Sequence, residues 1–283
     1  MIPRSHSIRR LKEKLLMVMA IATAIFGLFI LFIIIKDVFL KGASVINWNF
    51  FTRDMRPAGV PGGGVRNAIY GTLMITGVAA LIGIPTGVAA GVYLSEWGRH
   101  TKLGSVIRFG VNILMGVPSI IIGIFIYAVI IVRIKHGSGY AGAIALSIIM
   151  IPVIARTTED MLRMVPDHLR ESALALGTPR WKATIQILFR AAKSGLITGI
   201  ILSLARVSGE TAPLIFTARF SQFWPSDLNK ETANLTMTIY NYAPQPYDDL
   251  VKIAWGASLL VMGAVLIITI ITRITFADRM NKK

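Results

Sequence analysis

Six long apolar runs divide the chain, at about Leu15–Ile35, Ala68–Leu94, Ser105–Val132, Tyr140–Ala155, Gly195–Ala218 and Lys252–Thr272, and polar residues collect between them. A helix needs about 20 apolar residues to cross a bilayer, with a lower limit near 17. The fourth run is marginal by that measure, but Arg156 and the charges after it mark its end. Within each run the apolar residues are continuous rather than alternating at every second position. That pattern predicts helices, not the strands of a membrane barrel. The first run follows a basic stretch, RSHSIRRLKEK. At about 21 residues it is longer than a signal-peptide core, and no small-residue cleavage site closes it. It reads as a retained first helix.

Two finer patterns lie inside the runs. Small residues recur at spacing four, as Ala79, Gly83, Gly87 and Gly91 in the second run and Gly195, Gly199 and Ser203 in the fifth. Such stripes let helix backbones approach closely. Pro85, Pro118, Pro152 and Pro213 sit within runs. Each removes a backbone donor and tends to kink its helix.

Composition agrees with a membrane class. Hydrophobic residues make up 54% of the 283 and charged residues 16%, against about a quarter charged in soluble domains. The expected fold is all-α and integral to the membrane. It comprises one six-helix domain over 15–274, with a long loop at 156–193 and tails at 1–14 and 275–283. The net charge of +16 would suggest nucleic acid in a soluble protein. Here the cations lie between apolar runs, so topology and anionic membrane lipid explain them and no nucleic acid is expected. With the N-terminus inside, 19 Lys and Arg fall on the cytoplasmic side and 10 outside, with Arg206 within a run. That asymmetry predicts both termini in the cytoplasm. With no cysteine and four scattered histidines, no metal site is expected.

The loop reads RTTEDMLRMVPDHLRESALALGTPRWKATIQILFRAAK. Pro166 can open a short helix and Gly177 can end it. Leu169, Ala173 and Leu176 share one face of that helix. Thr178 and Pro179 then suit the N-cap and first position of a second helix, with Trp181, Ile185 and Leu188 on one face. Glu171-Ser-Ala, three residues, Gly177, nine residues and Ile187 match the EAA pattern of ABC importer permeases. The chain departs from that pattern at Ser172, Phe189 and Arg190. No GxxxxGK[ST] loop occurs, so no cofactor is expected in this chain. If ATP powers the protein, another chain binds it with its Mg²⁺.

The fifth run holds ARVSGETAPLI, with Arg206 and Glu210 four residues apart. A charge near the centre of a span costs roughly 2.5–3.5 kcal/mol. On one helix face the two can pair with each other. Alternatively the face lines an aqueous path. The planar guanidinium would then offer two parallel bonds to an oxyanion, and Glu210 would hold Arg206 between passages.

The run ALGTPRWKATIQILFRAAKSGLITGIILSLARVSGETAPLIFTA closely resembles the PstA family of phosphate ABC importer permeases. So do NAIYGTLMIT, GVYLSEWGR and GVPSIIIGIFIYAVIIV, and the resemblance covers about Gly62 to the C-terminus. The sister permease type, PstC, is similar in plan, and a permease for another oxyanion is a further alternative. The resemblance implies a type I ABC importer (MetI-like) fold in a bacterial or archaeal inner or plasma membrane. It implies a PstC sister permease, a PstB ATPase dimer and the extracytoplasmic phosphate-binding protein PstS as partners, and inorganic phosphate as cargo. Arg206, Glu210 and Thr211 would then line the substrate path. Asp167, Leu169, Arg170, Glu171, Ala173, Leu174 and Gly177 would belong to the coupling helix seated on the ATPase. The segment Arg219–Val251 would face the binding protein or gate. The chain itself would be no enzyme. A secondary transporter would show internal repeats and an acidic relay, and Glu210 is the carboxylate placed well inside a run.

Overall fold

The computed structural model describes residues 6–60 and 62–280. Eleven helical elements order them: α1 His6–Ala43, α2 Trp48–Thr52, α3 Arg66–Glu96, α4 Lys102–Gly116, α5 Ser119–Ile134, α6 Gly139–Arg163, α7 Asp167–Ala175, α8 Arg180–Ser208, α9 Ala212–Phe216, α10 Leu235–Tyr242 and α11 Asp248–Met280. Most of the segments placed as tails are extensions of α1 and α11. Residues 1–5 and 281–283 lie outside the described residues.

Among these, α1, α3, α6, α8 and α11 are long and apolar enough to cross a bilayer. The third apolar run is not one straight span. It breaks between α4 and α5 with a bend of 102°. Val117 is extended, with ψ 128°, and Pro118 follows it. Proline pushes the preceding residue out of the helical region, so the chain turns a corner rather than kinking.

The core forms around α6. An 18-residue apolar stretch of α6 is 67% buried, against 0% for α1 and 22% for α3, α8 and α11. That placement explains the short fourth run. Ser147, Thr158 and Glu159 are buried inside the protein, so α6 spans without being apolar throughout. The small-residue stripes pack as their spacing predicts. Gly83, Gly87 and Gly91 of α3 lie against Met150, Ile154 and Thr158 of α6, so these two helices run parallel. Gly199 and Gly195 of α8 meet Thr157 and Met161, so α8 runs antiparallel to α6.

The segment Arg219–Val251, expected on the outer side, is not wholly an exposed loop. Asn234 caps α10 through its side chain, and Thr232, Asn234, Thr236 and Thr238 are buried. Gly71 of α3 touches the Ala233 carbonyl, so a side chain at Gly71 would displace this segment. Trp224 is stacked on Tyr70 at 5.0 Å, with the Arg66 guanidinium 5.0 Å from its ring centre. It packs on the protein as well as suiting a membrane interface.

Candidate functional site

The fifth apolar run breaks where its charges lie. Helix α8 begins far earlier than the run, at Arg180, and stops at Ser208. The Gly209 and Glu210 amides fold back onto the carbonyls of Arg206 and Val207, at 3.2 and 3.1 Å. Thr211 then takes the N-cap position of α9, whose first turn contains Pro213. Glycine just past one helix and proline just inside the next is the usual punctuation of such a break. Gly199 lies beside Thr157, and Arg206 is about 10 Å further along. The break therefore sits near the middle of α6, within the depth of the membrane.

Arg206 and Glu210 do not share a helix face; they approach across the break. Arg206 Nε lies 3.9 Å from Glu210 Oε1, with side chains 67% and 19% exposed. That separation is too long for a hydrogen bond, so the contact is a loose Coulombic one. Glu210 is held instead by its backbone, whose carbonyl accepts from Thr236 Oγ1 of α10 at 3.1 Å. Arg206 borders a cavity of about 400 Å³ between α6 and α8, with Val153, Thr157, Thr198, Leu202 and Ser203. The Ser203 hydroxyl is buried and has no hydrogen-bond partner among the described residues. A guanidinium free to leave its carboxylate, beside a cavity edged with hydroxyl-bearing side chains, can accept an oxyanion.

The second site is the α7–α8 end of the bundle. Asp167 places a carboxylate in the first turn of α7, where the helix dipole favours it. Gly177 ends the helix with φ +76°. Its amide donates to Leu174 O at 2.9 Å and that of Thr178 to Ala173 O at 3.1 Å, a Schellman ending. The N-cap of α8 is Pro179 rather than Thr178, and no side chain caps it. Ala173 is buried, and Leu169 is half-buried. Leu176 is exposed and does not share their packing. A π-turn at Thr184–Leu188 shifts the phase of α8. As a result Trp181 and Ile185 face outward while Leu188 is buried. Glu171 and Leu174 are exposed on α7.

Arg170 points inward. It pairs with Glu96 of α3 at 3.2 Å and Asp167 at 2.9 Å, and donates to the carbonyls of Leu162 and Val165 at 2.5 and 2.7 Å. Asp167 also meets Arg99 at 3.4 Å. Thus α7 is clamped to the ends of α3 and α6.

Sequence reasoning missed a second network. Glu159 on α6 is buried at 1% exposure, with Arg108 of α4 and Arg163 both at 2.7 Å and Arg156 at 3.8 Å. Arg108 also donates to Leu94 O and Gly98 O at 2.9 and 3.1 Å, capping the end of α3. A carboxylate with arginines three before and four after was a local signal for it. Arg108, 51 residues away, was not foreseeable from spacing.

The family model of the binding-protein-dependent transport system inner membrane component matches residues 83–282. A phosphate transport system permease protein PstA of Yersinia pestis is 43% identical over 271 residues, 96% of this chain and 92% of that protein. One from Pasteurella multocida is 45% identical over 96% of each chain. Among solved structures, an inward-facing MetNI methionine ABC transporter has a TM-score of 0.63 at 20% identity, over 76% of this chain and 95% of that one. A bacterial ABC transporter importing alginate has a TM-score of 0.65 at 15% identity, over 97% and 99%. These two establish the fold.

Proposed function

The chain belongs to the PstA family of phosphate transport system permeases, within the binding-protein-dependent inner membrane components, and from that premise we propose how it carries phosphate. It is a multi-pass permease subunit of an ATP-driven phosphate importer. The relatives are of the PstA type, which decides against the sister-type alternative. An ATPase and a binding protein accompany such a subunit.

Phosphate crosses at the break between α8 and α9. The loosely held Arg206 carries this reading: its guanidinium is 3.9 Å from Glu210 and open to a cavity. Phosphate takes the bonds that Glu210 leaves unmade, and the returning carboxylate competes for Arg206 and promotes release. Thr211, at the head of α9, lines the same path. A PstC-type sister permease forms the other wall, and a PstS-type protein delivers phosphate from outside. The exposed residues Glu171, Leu174 and Leu176 of the α7 end face a PstB-type ATPase dimer, which binds ATP and Mg²⁺. The inward-turned Arg170 transmits that dimer's motion to α3 and α6. Both termini are cytoplasmic on this reading, following the excess of Lys and Arg on that side.

ATP-driven uptake of labelled phosphate into liposomes, with sulfate as competitor, tests it. The vesicles hold this chain with its sister permease, ATPase and binding protein. Arg206→Gln is expected to abolish sulfate-resistant uptake while ATP hydrolysis continues. Normal uptake by Arg206→Gln would make the pair structural. No phosphate uptake by a wild-type assembly that hydrolyses ATP would overturn the transport reading.

A further inference from the structure

A groove of about 380 Å³ lies between α3 and the cytoplasmic half of α8, and shares no lining residue with the Arg206 cavity. Its wall is apolar, built from Phe189, Leu196, Ile197 and Ile200, and its mouth carries Arg190 and Lys193. Both cations are exposed and have no ion pair among the described residues, and no carboxylate lines the groove. They stand three residues apart on one helix, so they flank a common point. From Lys193 to Ile200 the wall runs about 10 Å towards the membrane interior.

We propose that this groove binds an anionic phospholipid of the cytoplasmic leaflet, with its phosphate between Arg190 and Lys193 and an acyl chain along Leu196, Ile197 and Ile200. Charge complementarity and depth both select that occupant. Basic pockets between membrane helices on the cytoplasmic side suit anionic headgroups, and a headgroup there places its chain against the apolar wall. The outward-facing Ile185, within the π-turn Thr184–Leu188, borders the same groove. A bound lipid would brace α8 directly above the α7–α8 corner, so lipid composition would act on coupling. The choice of leaflet rests on the orientation proposed above; the lipid contact does not.

The assembled transporter in nanodiscs of equal phosphatidylcholine and phosphatidylglycerol provides the test. Native mass spectrometry reads the phosphatidylglycerol retained per complex. Wild type is expected to retain it preferentially. Each cation near an anionic headgroup contributes a factor of roughly five, so Arg190→Gln with Lys193→Gln should lower the preference about twenty-fivefold. Arg190→Lys with Lys193→Arg should keep it, which excludes misfolding as the cause. Ile197→Trp should lower retention with both charges intact. Arg206→Gln should leave retention unchanged, so failure of the transport reading and failure of this one are separable. Unchanged retention in the double glutamine variant would overturn the proposal. So would displacement of the lipid by inorganic phosphate, which would make the cations a free-anion site. Cross-linking of Ile197→Cys to the sister permease without retained lipid would also overturn it, and the chain has no native cysteine to confuse that result.

Discussion

Neutralising Glu159 should loosen the α4–α6 end of the bundle by a calculable amount. Breaking a buried ion pair costs about 3–5 kcal/mol when the remaining charge is stranded. In Glu159→Gln the arginines are stranded unequally. Arg163 and Arg156 are 38% and 43% exposed, so they can turn to water and contribute little. Arg108 is 19% exposed and carries most of the penalty. It keeps its bonds to the carbonyls of Leu94 and Gly98, which offset part of that penalty. The expected loss is therefore about 2–3 kcal/mol, below the full range. Unfolding of the chain in mixed micelles, titrated with sodium dodecyl sulfate, measures it. Arg163→Gln should cost less than about 1 kcal/mol in the same assay. A cycle of Glu159→Gln, Arg108→Gln and the double variant should give a coupling of at least about 1 kcal/mol. Strict additivity, or a Glu159→Gln loss no larger than that of Arg163→Gln, would refute the idea that Glu159 joins α4 to α6.

Three further outcomes follow from contacts elsewhere. Arg170→Gln removes the clamp between α7 and α3, so phosphate uptake per ATP hydrolysed should fall several-fold in the reconstituted transporter while hydrolysis persists; equal loss of both would make Arg170 merely structural. Gly91→Val places a branched side chain against the Ala155 carbonyl and Thr158, both 2.5 Å from a Cβ at that position, and should destabilise the α3–α6 pair by about 1–3 kcal/mol in the micelle assay. Burial raises the Tyr242 phenol above its ordinary value, opposed by the Gln222 amide, which donates to its oxygen at 2.9 Å, and reinforced by Asp249. The folded state thus holds the proton more tightly, so this stabilisation is complete below about pH 10 and is lost as pH rises through the higher folded value. Absorbance titration should show a late tyrosinate step that Tyr242→Phe removes.

What could be read from the sequence was what depends on near neighbours. The stripe Gly83, Gly87, Gly91 announces a close helix contact because spacing four keeps residues on one face, and α6 fills that contact. Gly177 marks a helix end because its backbone needs the left-handed region, and it occupies it. Hydropathy has no direction, however, so the run Ser105–Val132 concealed a right-angled turn at Val117–Pro118. The run Gly195–Ala218 likewise concealed the end of α8 at Ser208, although Gly209 and Pro213 were both visible. The pairs Arg108–Glu159 and Arg170–Glu96 join residues 51 and 74 positions apart. No period links such positions, and only the packing of α3, α4 and α6 brings them together.

The ion pairs differ in a way that fits the roles proposed above for each region. At the α7 end of the bundle, carboxylates at 1% and 12% exposure hold arginines at 2.7 and 3.2 Å, supported by backbone carbonyls. Such pairs are costly to part because either partner alone would be a buried charge, and they tie α3, α4, α6 and α7 together. At the break between α8 and α9, the pair is open at 3.9 Å, with one partner 67% exposed. An arginine already satisfied by a tight carboxylate would have to give up those bonds before binding phosphate, and affinity would fall by that amount. An arginine with no carboxylate near it would hold phosphate with nothing to compete for release. The intermediate distance avoids both extremes, and the helix break produces it: a continuous helix would carry Glu210 on the same face as Arg206 one turn away, whereas Gly209 and the Thr236 hydroxyl fix the Glu210 backbone off that path. Closing the break, as Gly209→Ala with Pro213→Ala would favour, should therefore tighten the pair and weaken phosphate uptake without touching either charged residue.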